Sequence, residues 1–368
     1  QELKIDLIFL DEAHFGMTTK NAQEILKQIN DNVLGGNCPK IFVTATYKKP
    51  QKTYKIDNDS KLTWDINDIN IMKNIDENTI KDNEIRTRFG KKLYDDIVKN
   101  YSIKKLKENY TYYPKPYLIT TVWDSDYALL ERGKIRNTDY GFDMEKLFTI
   151  NKNGEFENKE QLKFMFEYYF GVMDTKEKRD TSYQLQSYVK NNGILPRISK
   201  ICMNNCRTLQ QQNKPTTQLW FLPYGVGRKI NDVSVGILKL LTEDNNYKFI
   251  RDNYYFYVAV DNKKSEHKED LNHFSYMKNP RDIKKEIQDI ETDIKDGKKN
   301  QNNLIILAGN RLQLGISLEN VDIVTLWNNI TSTDAIFQML FRSMTEVKTP
   351  PCKDNNYCPE KKYGFMVD

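Results

Sequence analysis

The sequence predicts an α/β protein built on parallel sheets and divided into two lobes, and three observations carry that expectation. Short apolar runs of strand length alternate with helical patterns near the start of the chain and again, more regularly, after Pro196. The chain has 368 residues, more than one core comfortably serves. It is 29% charged and 39% hydrophobic with a mean hydropathy of -0.72, polar but with enough Ile, Leu, Tyr and Phe to build cores.

Leu3 to Leu10 is apolar except for Lys4 and Asp6, short enough for a strand and too uniform for a half-exposed one, so it reads as a buried parallel strand. Ala22, Ile25, Leu26 and Ile29 follow at helical spacing, and Lys40 to Ala45 returns to a strand. Strand, helix, strand implies a crossover in an α/β sheet. From Tyr47 to Pro196 the pattern loosens. Leu162, Met165, Phe166, Tyr169 and Phe170 mark one amphipathic helix there, and the apolar segment Tyr117 to Trp123 is a candidate for the last strand of the first lobe, with the insertion following it. Beyond Pro196, Gln218–Leu222, Tyr254–Val260, Leu304–Ala308, Val321–Trp327 and Tyr363–Val367 are strand candidates. Between them Pro280 to Lys295 carries Ile283, Ile287, Ile290 and Ile294 on one helical face. The expected division is residues 1–124 for the first lobe, 125–195 for a partly helical insertion, and 196–368 for the second lobe.

No apolar run reaches the roughly 20 residues of a membrane span, and Gln1-Glu2-Leu3 resembles neither an initiator start nor a signal peptide. The expectation is a soluble intracellular protein truncated at its N-terminus. Cys38, Cys202, Cys206, Cys352 and Cys358 are an odd set without the two-residue gaps of common zinc knuckles, so reduced thiols are expected. A net charge of +5 fits a polyanionic partner without demanding one.

Directly after the first strand stands Asp11-Glu12-Ala13-His14, two carboxylates and an imidazole where open parallel sheets bind ligands, at the carboxyl ends of strands. Asp11 is placed to hold Mg²⁺ and Glu12 to orient and deprotonate a water attacking a γ-phosphate. An acidic turn opening a helix is the plainer alternative. The strand Ile41-Phe42-Val43 then delivers Thr44-Ala45-Thr46, whose hydroxyls can bond to a neighbouring acidic site.

Leu7 to His14 followed by Val43 to Thr46 resembles motifs II and III of superfamily 2 helicases. Leu304 to Trp327, with Gly315-Ile316-Ser317 in its loop, resembles motif V, and Gln338-Met339-Leu340-Phe341-Arg342 resembles motif VI. Gln218 to Pro223 stands where motif IV belongs. Four motif-like segments in the family's order cover both ends of the chain, whereas 47–196 is matched by length alone. The resemblance implies two RecA-like lobes, the first truncated at its N-terminus, binding ATP and Mg²⁺ in a cleft with DNA or RNA across both. It implies Asp11 and Glu12 as metal and water-activating carboxylates. His14, Thr44 and Thr46 would couple ATP to lobe movement, with Gly315 and Ser317 in a nucleotide or nucleic-acid loop. Gln338 and Arg342 would face ATP, with Arg342 as the arginine finger.

Two departures matter. The family often carries a second Arg where this chain has Thr345. No G-x-x-x-x-G-K-[ST] loop occurs: Gly90-Lys91, Gly133-Lys134 and Gly297-Lys298 lack the upstream Gly and the following hydroxyl. Backbone amides of that loop normally cradle phosphates, so this stretch alone is expected to be nearly inactive, with the loop lying upstream of Gln1.

Lys99 to Tyr117 interleaves Lys104, Lys105, Lys107 and Lys115 with Tyr101, Tyr110, Tyr112, Tyr113 and Tyr117, the mix seen on single-strand platforms and equally on a solvated basic helix beside a Tyr-rich core edge. Richness in Asn, Lys, Ile and Tyr suggests an AT-rich genome, and the form of motif VI resembles helicases of large DNA viruses. The function expected is an ATP-dependent helicase or translocase, a nucleoside-triphosphatase, with further domains upstream or downstream. The competing readings are a nucleic-acid scaffold that has lost catalysis and the motor subunit of a restriction-type nuclease.

Overall fold

A computed structural model of the chain describes residues 7–11, 13, 19–32, 39–44, 47–76, 83–100, 102–110, 113–120, 144–173, 183–205, 216–223, 229–243, 247–260, 273–309, 312, 316–347, 361 and 363–368. These divide into two compact units, Gln1–Ile71 and Met72–Asp368.

In the first unit β1 (Ile8–Leu10) pairs in parallel with β2 (Lys40–Phe42) across α1 (Lys20–Asn32), the order the apolar runs predict. Thr19 starts α1, its Oγ1 accepting from the Ala22 amide at 3.3 Å. Helix α2 (Lys48–Tyr54) returns Tyr54 onto Phe42, ring centroids 4.4 Å apart. The expected burial of the first strand is not observed: Phe9 is 64% exposed, and Ile25, Ile29, Ile41 and Val43 are exposed as well. Among the described residues this sheet has two strands, so each is an edge strand rather than the central parallel strand that burial on both faces presupposes.

The second unit holds a seven-stranded sheet in the order β3-β9-β8-β4-β7-β5-β6, all pairings parallel. In chain order its strands and the helices that frame the site are β3 (Lys115–Ile119), α3 (Lys159–Phe170), β4 (Thr217–Phe221), α4 (Ile230–Leu238), β5 (Tyr254–Ala259), β6 (Phe274–Tyr276), α5 (Ile283–Lys295), β7 (Asn303–Ala308), β8 (Val321–Leu326), α6 (Thr333–Leu340) and β9 (Tyr363–Val367). Each strand expected after Pro196 is present, and the sequence reading missed β6. Every residue of β4 and β9 is buried, as parallel strands covered on both faces require.

Helices cover both faces. Trp220, Phe256, Val258, Ile305, Leu307 and Phe365 share one cluster with residues of α3 and α4. On the opposite face Tyr257 donates to Glu286 and Thr217 to Glu291, both carboxylates on α5. Helix α3 buries all five residues of its expected apolar stripe, Leu162, Met165, Phe166, Tyr169 and Phe170. It ends at Gly171, whose φ of 70° suits glycine and whose missing Cβ leaves room for the Pro196 ring.

The expected boundaries at 124 and 195 therefore differ from the packing. Lys115–Ile119 pairs with β9 in the second unit's sheet, and α3, expected in an insertion, lies against that sheet's core. Tyr117 is part of this, its ring 5.2 Å from Tyr363 and 5.7 Å from Phe365. Tyr110 packs beside the small cluster of Met72, Ile75 and Leu106, while Lys104, Lys105 and Lys115 are exposed. The described tyrosines of the basic stretch are thus half-buried packing residues; Tyr101 and Tyr112 lie outside the described residues.

A polar knot fixes α3 on the sheet. Tyr169 Oη donates to Gln218 Oε1 at 2.9 Å and lies 2.8 Å from Thr325 Oγ1, and Trp220 Nε1 donates to Gln218 Oε1 at 3.2 Å. Burial pushes the Tyr169 phenol far above its ordinary range, so it stays a neutral donor. Five buried apolar side chains at about 1.5–3 kcal/mol each outweigh a hydrogen bond worth about 1 kcal/mol, so apolar burial docks the helix and the knot sets its register. Tyr169→Phe is expected to keep the fold and cost about 1–3 kcal/mol in urea unfolding, because buried acceptors lose their donor. No loss would show that the knot is not formed.

Candidate functional site

The expected site residues fall into two groups, one in each unit. In the first, the Val43 amide donates to Leu10 O at 2.9 Å and the Ala13 amide to Val43 O at 3.1 Å, extending the β1–β2 ladder past the strand ends. That ladder sets Asp11 and Thr44 at the same, carboxyl, end of two adjacent parallel strands. Asp11 is exposed, Thr44 half-buried and Ala13 fully buried. Glu12, His14 and Thr46 lie outside the described residues. Among the described residues no three His, Cys, Asp or Glu side chains gather into a metal site.

In the second unit the chain leaves β7 at Gly309, which gives way to Ile230 of α4, and re-enters the sheet at Val321. Between them Ser317 is exposed and Leu318 buried; Gly315 lies outside the described residues. Helix α6 starts at Ser332, whose side chain accepts from the Ala335 amide, and runs into a 3-10 turn, Phe341–Met344. Gln338 and Arg342 follow from these and are both half-buried.

The Arg342 guanidinium donates through Nη1 to the Ile316 carbonyl at 2.8 Å, next to Ser317. The segments that resemble motifs V and VI are thereby joined. Gly364 on β9 makes this possible, because a Cβ there would lie 2.4 Å from the Ser343 carbonyl oxygen and the turn could not sit on the strand.

The turn before β8 is anchored separately. Glu291 of α5, 9% exposed, accepts from Thr217 Oγ1 and from Asn320 Nδ2, each at 2.7 Å. Lys361, 2% exposed, donates from Nζ to the Glu319 carbonyl at 3.2 Å and the Thr345 carbonyl at 3.1 Å. The sequence reading named neither residue. Glu291 had a signal, a charge within the isoleucine stripe of Pro280 to Lys295, where it is more buried than Ile290. Lys361 beside Lys362 had none. At the carboxyl edge of the sheet, buried Trp327 Nε1, Asn328 Oδ1 and Asn231 Oδ1 have no hydrogen-bond partner among the described residues.

Each unit taken by itself, Asp11 is an accessible carboxylate at a strand end, a donor type that suits Mg²⁺, and Arg342 is a cation whose guanidinium is held on a backbone carbonyl. No phosphate-cradling loop occurs in this sequence to complete the set.

No family model matches the chain, and no curated protein matches it. Among solved structures it is similar to the Hef helicase domain of Pyrococcus furiosus, at 12% identity and a TM-score of 0.28, over 100% of this chain and 72% of that one. A similarity of that size fixes neither fold nor activity. Among the described residues no helix is long and apolar enough to cross a membrane.

Gly364→Ala tests the placement of the Arg342 turn. Overpacking against the Ser343 backbone is expected to cost about 1–3 kcal/mol in denaturant unfolding. An unchanged midpoint would mean that the turn does not rest on β9.

Proposed function

We propose that this chain is the core of an ATP-dependent nucleic-acid helicase or translocase with RecA-like lobes. The observation that carries the reading is the pairing of β1 with β2, which sets Asp11 and Thr44 side by side at the carboxyl ends of parallel strands. The motif resemblance at both ends of the chain supports it.

In this reading Asp11 holds the metal ion, directly or through water. Glu12 aligns a water and takes its proton on a carboxylate oxygen as the water oxygen bonds to the γ-phosphorus and the bond to the β,γ-bridging oxygen breaks, releasing ADP and phosphate. Bound Mg²⁺ neutralises charge on the triphosphate of ATP. Arg342 places its guanidinium on the charge that develops in the transferring phosphoryl group, exchanging its bond to the Ile316 carbonyl for one to the nucleotide. Thr44, with His14 and Thr46, senses the state of the acidic site. Because Ile316 adjoins Ser317, movement of Arg342 reaches a loop that the resemblance gives to nucleic acid. Gly315 and Ser317 supply uncharged contacts to a phosphate backbone of DNA or RNA.

The test is nucleic-acid-stimulated ATPase in the full-length protein, with nucleotide binding measured separately. Glu12→Gln is expected to bind ATP and lose turnover by orders of magnitude, and Arg342→Ala to lose about 10³-fold or more. The double mutant should fall little below the worse single one, since groups that act as a unit are non-additive. Near-normal turnover in Arg342→Ala would overturn the arginine-finger role. Nucleic-acid binding without any ATPase would favour the scaffold reading.

A further inference from the structure

We propose that Lys361 is a positioning residue for Arg342, clamping the segment that carries the arginine onto the turn that leads into β8. The inference rests on the function proposed above and adds a residue that neither the motifs nor the resemblance includes.

The ammonium of Lys361 is almost wholly removed from water, and a buried cation must find acceptors. Two acceptors among the described residues are backbone carbonyls from different parts of the chain: Glu319, just before β8, and Thr345, just after the Phe341–Met344 turn. Arg342 makes a second cross-link between the same two stretches through its bond to the Ile316 carbonyl. Thr345 Oγ1 donates back to the Arg342 carbonyl at 3.3 Å, so a pull on residue 345 is felt at residue 342.

The clamp is referred to the sheet. Lys361 lies two residues before β9, whose register against β8 pairs Ile323 with Phe365, and Gly364 receives the Ser343 backbone. Lys361 therefore holds the arginine segment from one end while Gly364 seats it from below. The Glu319 carboxylate meets Lys284 at 3.5 Å between half-exposed side chains, leaving its carbonyl to Lys361 alone among the described lysines. At 2% exposure Lys361 cannot reach a phosphate, so its action passes through Arg342. The position at which the helicase pattern often has a second arginine, Thr345, is thus held by a lysine from elsewhere in the chain.

Lys361→Met keeps an unbranched side chain that stops short of the ammonium position and removes the three donors. In the full-length protein it is expected to lower the maximal nucleic-acid-stimulated ATPase on the order of 10²-fold, the cost of a small misplacement of a catalytic group. The ATP KM should stay nearly constant. Lys361→Gln, which keeps an amide donor, should recover part of the rate, and it carries the experiment if the Met variant does not fold. The decisive comparison is in an Arg342→Ala background. There the Lys361 substitution should cost no further turnover, while the melting temperature drops as much as it does in the presence of Arg342. An equal loss of turnover with and without Arg342, or no loss at all, overturns the positioning role while leaving the ATPase reading intact. A wild-type full-length protein with no nucleic-acid-stimulated ATPase overturns both.

Discussion

The burial of β4 on every side is the constraint from which the second unit follows. Each of its five residues is inaccessible, its neighbours on either side are β7 and β8, and both of its faces are covered. Parallel neighbours cannot be joined by tight turns, so the chain must cross over between them, and it carries helices onto both faces as it does. Because β7 and β8 flank β4, the connection between them has to pass from one side of the central strand to the other. Ile316 and Ser317 lie on that connection.

Several polar groups buried inside this frame tie separate elements to one another. Glu291 joins α5, the start of β4 and the turn before β8; Tyr169 joins α3 to β4 and β8; Lys361 joins the turn before β8 to the segment after Arg342. None would justify its desolvation by a single hydrogen bond, since the net value of one is about 1 kcal/mol. What they provide is a fixed register between elements that apolar packing alone would leave free to slide.

The second unit was largely legible in the sequence because parallel strands buried on both faces are mostly apolar. Such runs stand out: Leu304–Ala308, Val321–Trp327 and Tyr363–Val367 each contain the observed strand to within a residue or so. Beta6 was missed because Phe274–Tyr276 is three residues long at the sheet edge, and half-buried edges carry no apolar run. The domain boundaries were not legible because Lys115–Ile119 joins a strand from the far end of the chain, and a sequence window does not see a partner some 250 residues away. Of the candidate site, the acidic and arginine-bearing segments stand out in the sequence as motif-like runs. The residues packed on the arginine segment do not, because Lys361 and Gly364 act through backbone carbonyls and a missing Cβ, and neither leaves a pattern of spacing.

The account turns on whether Arg342 leaves the Ile316 carbonyl for a nucleotide. The direct measurement is a structure of the full-length protein with ADP, fluoroaluminate, Mg²⁺ and a single-stranded nucleic acid. It should show the Arg342 guanidinium within hydrogen-bonding distance of the fluoroaluminate and Asp11 on the metal side of the same nucleotide. Arg342 still bonded to Ile316 while the nucleotide is bound and the metal is held elsewhere would contradict it.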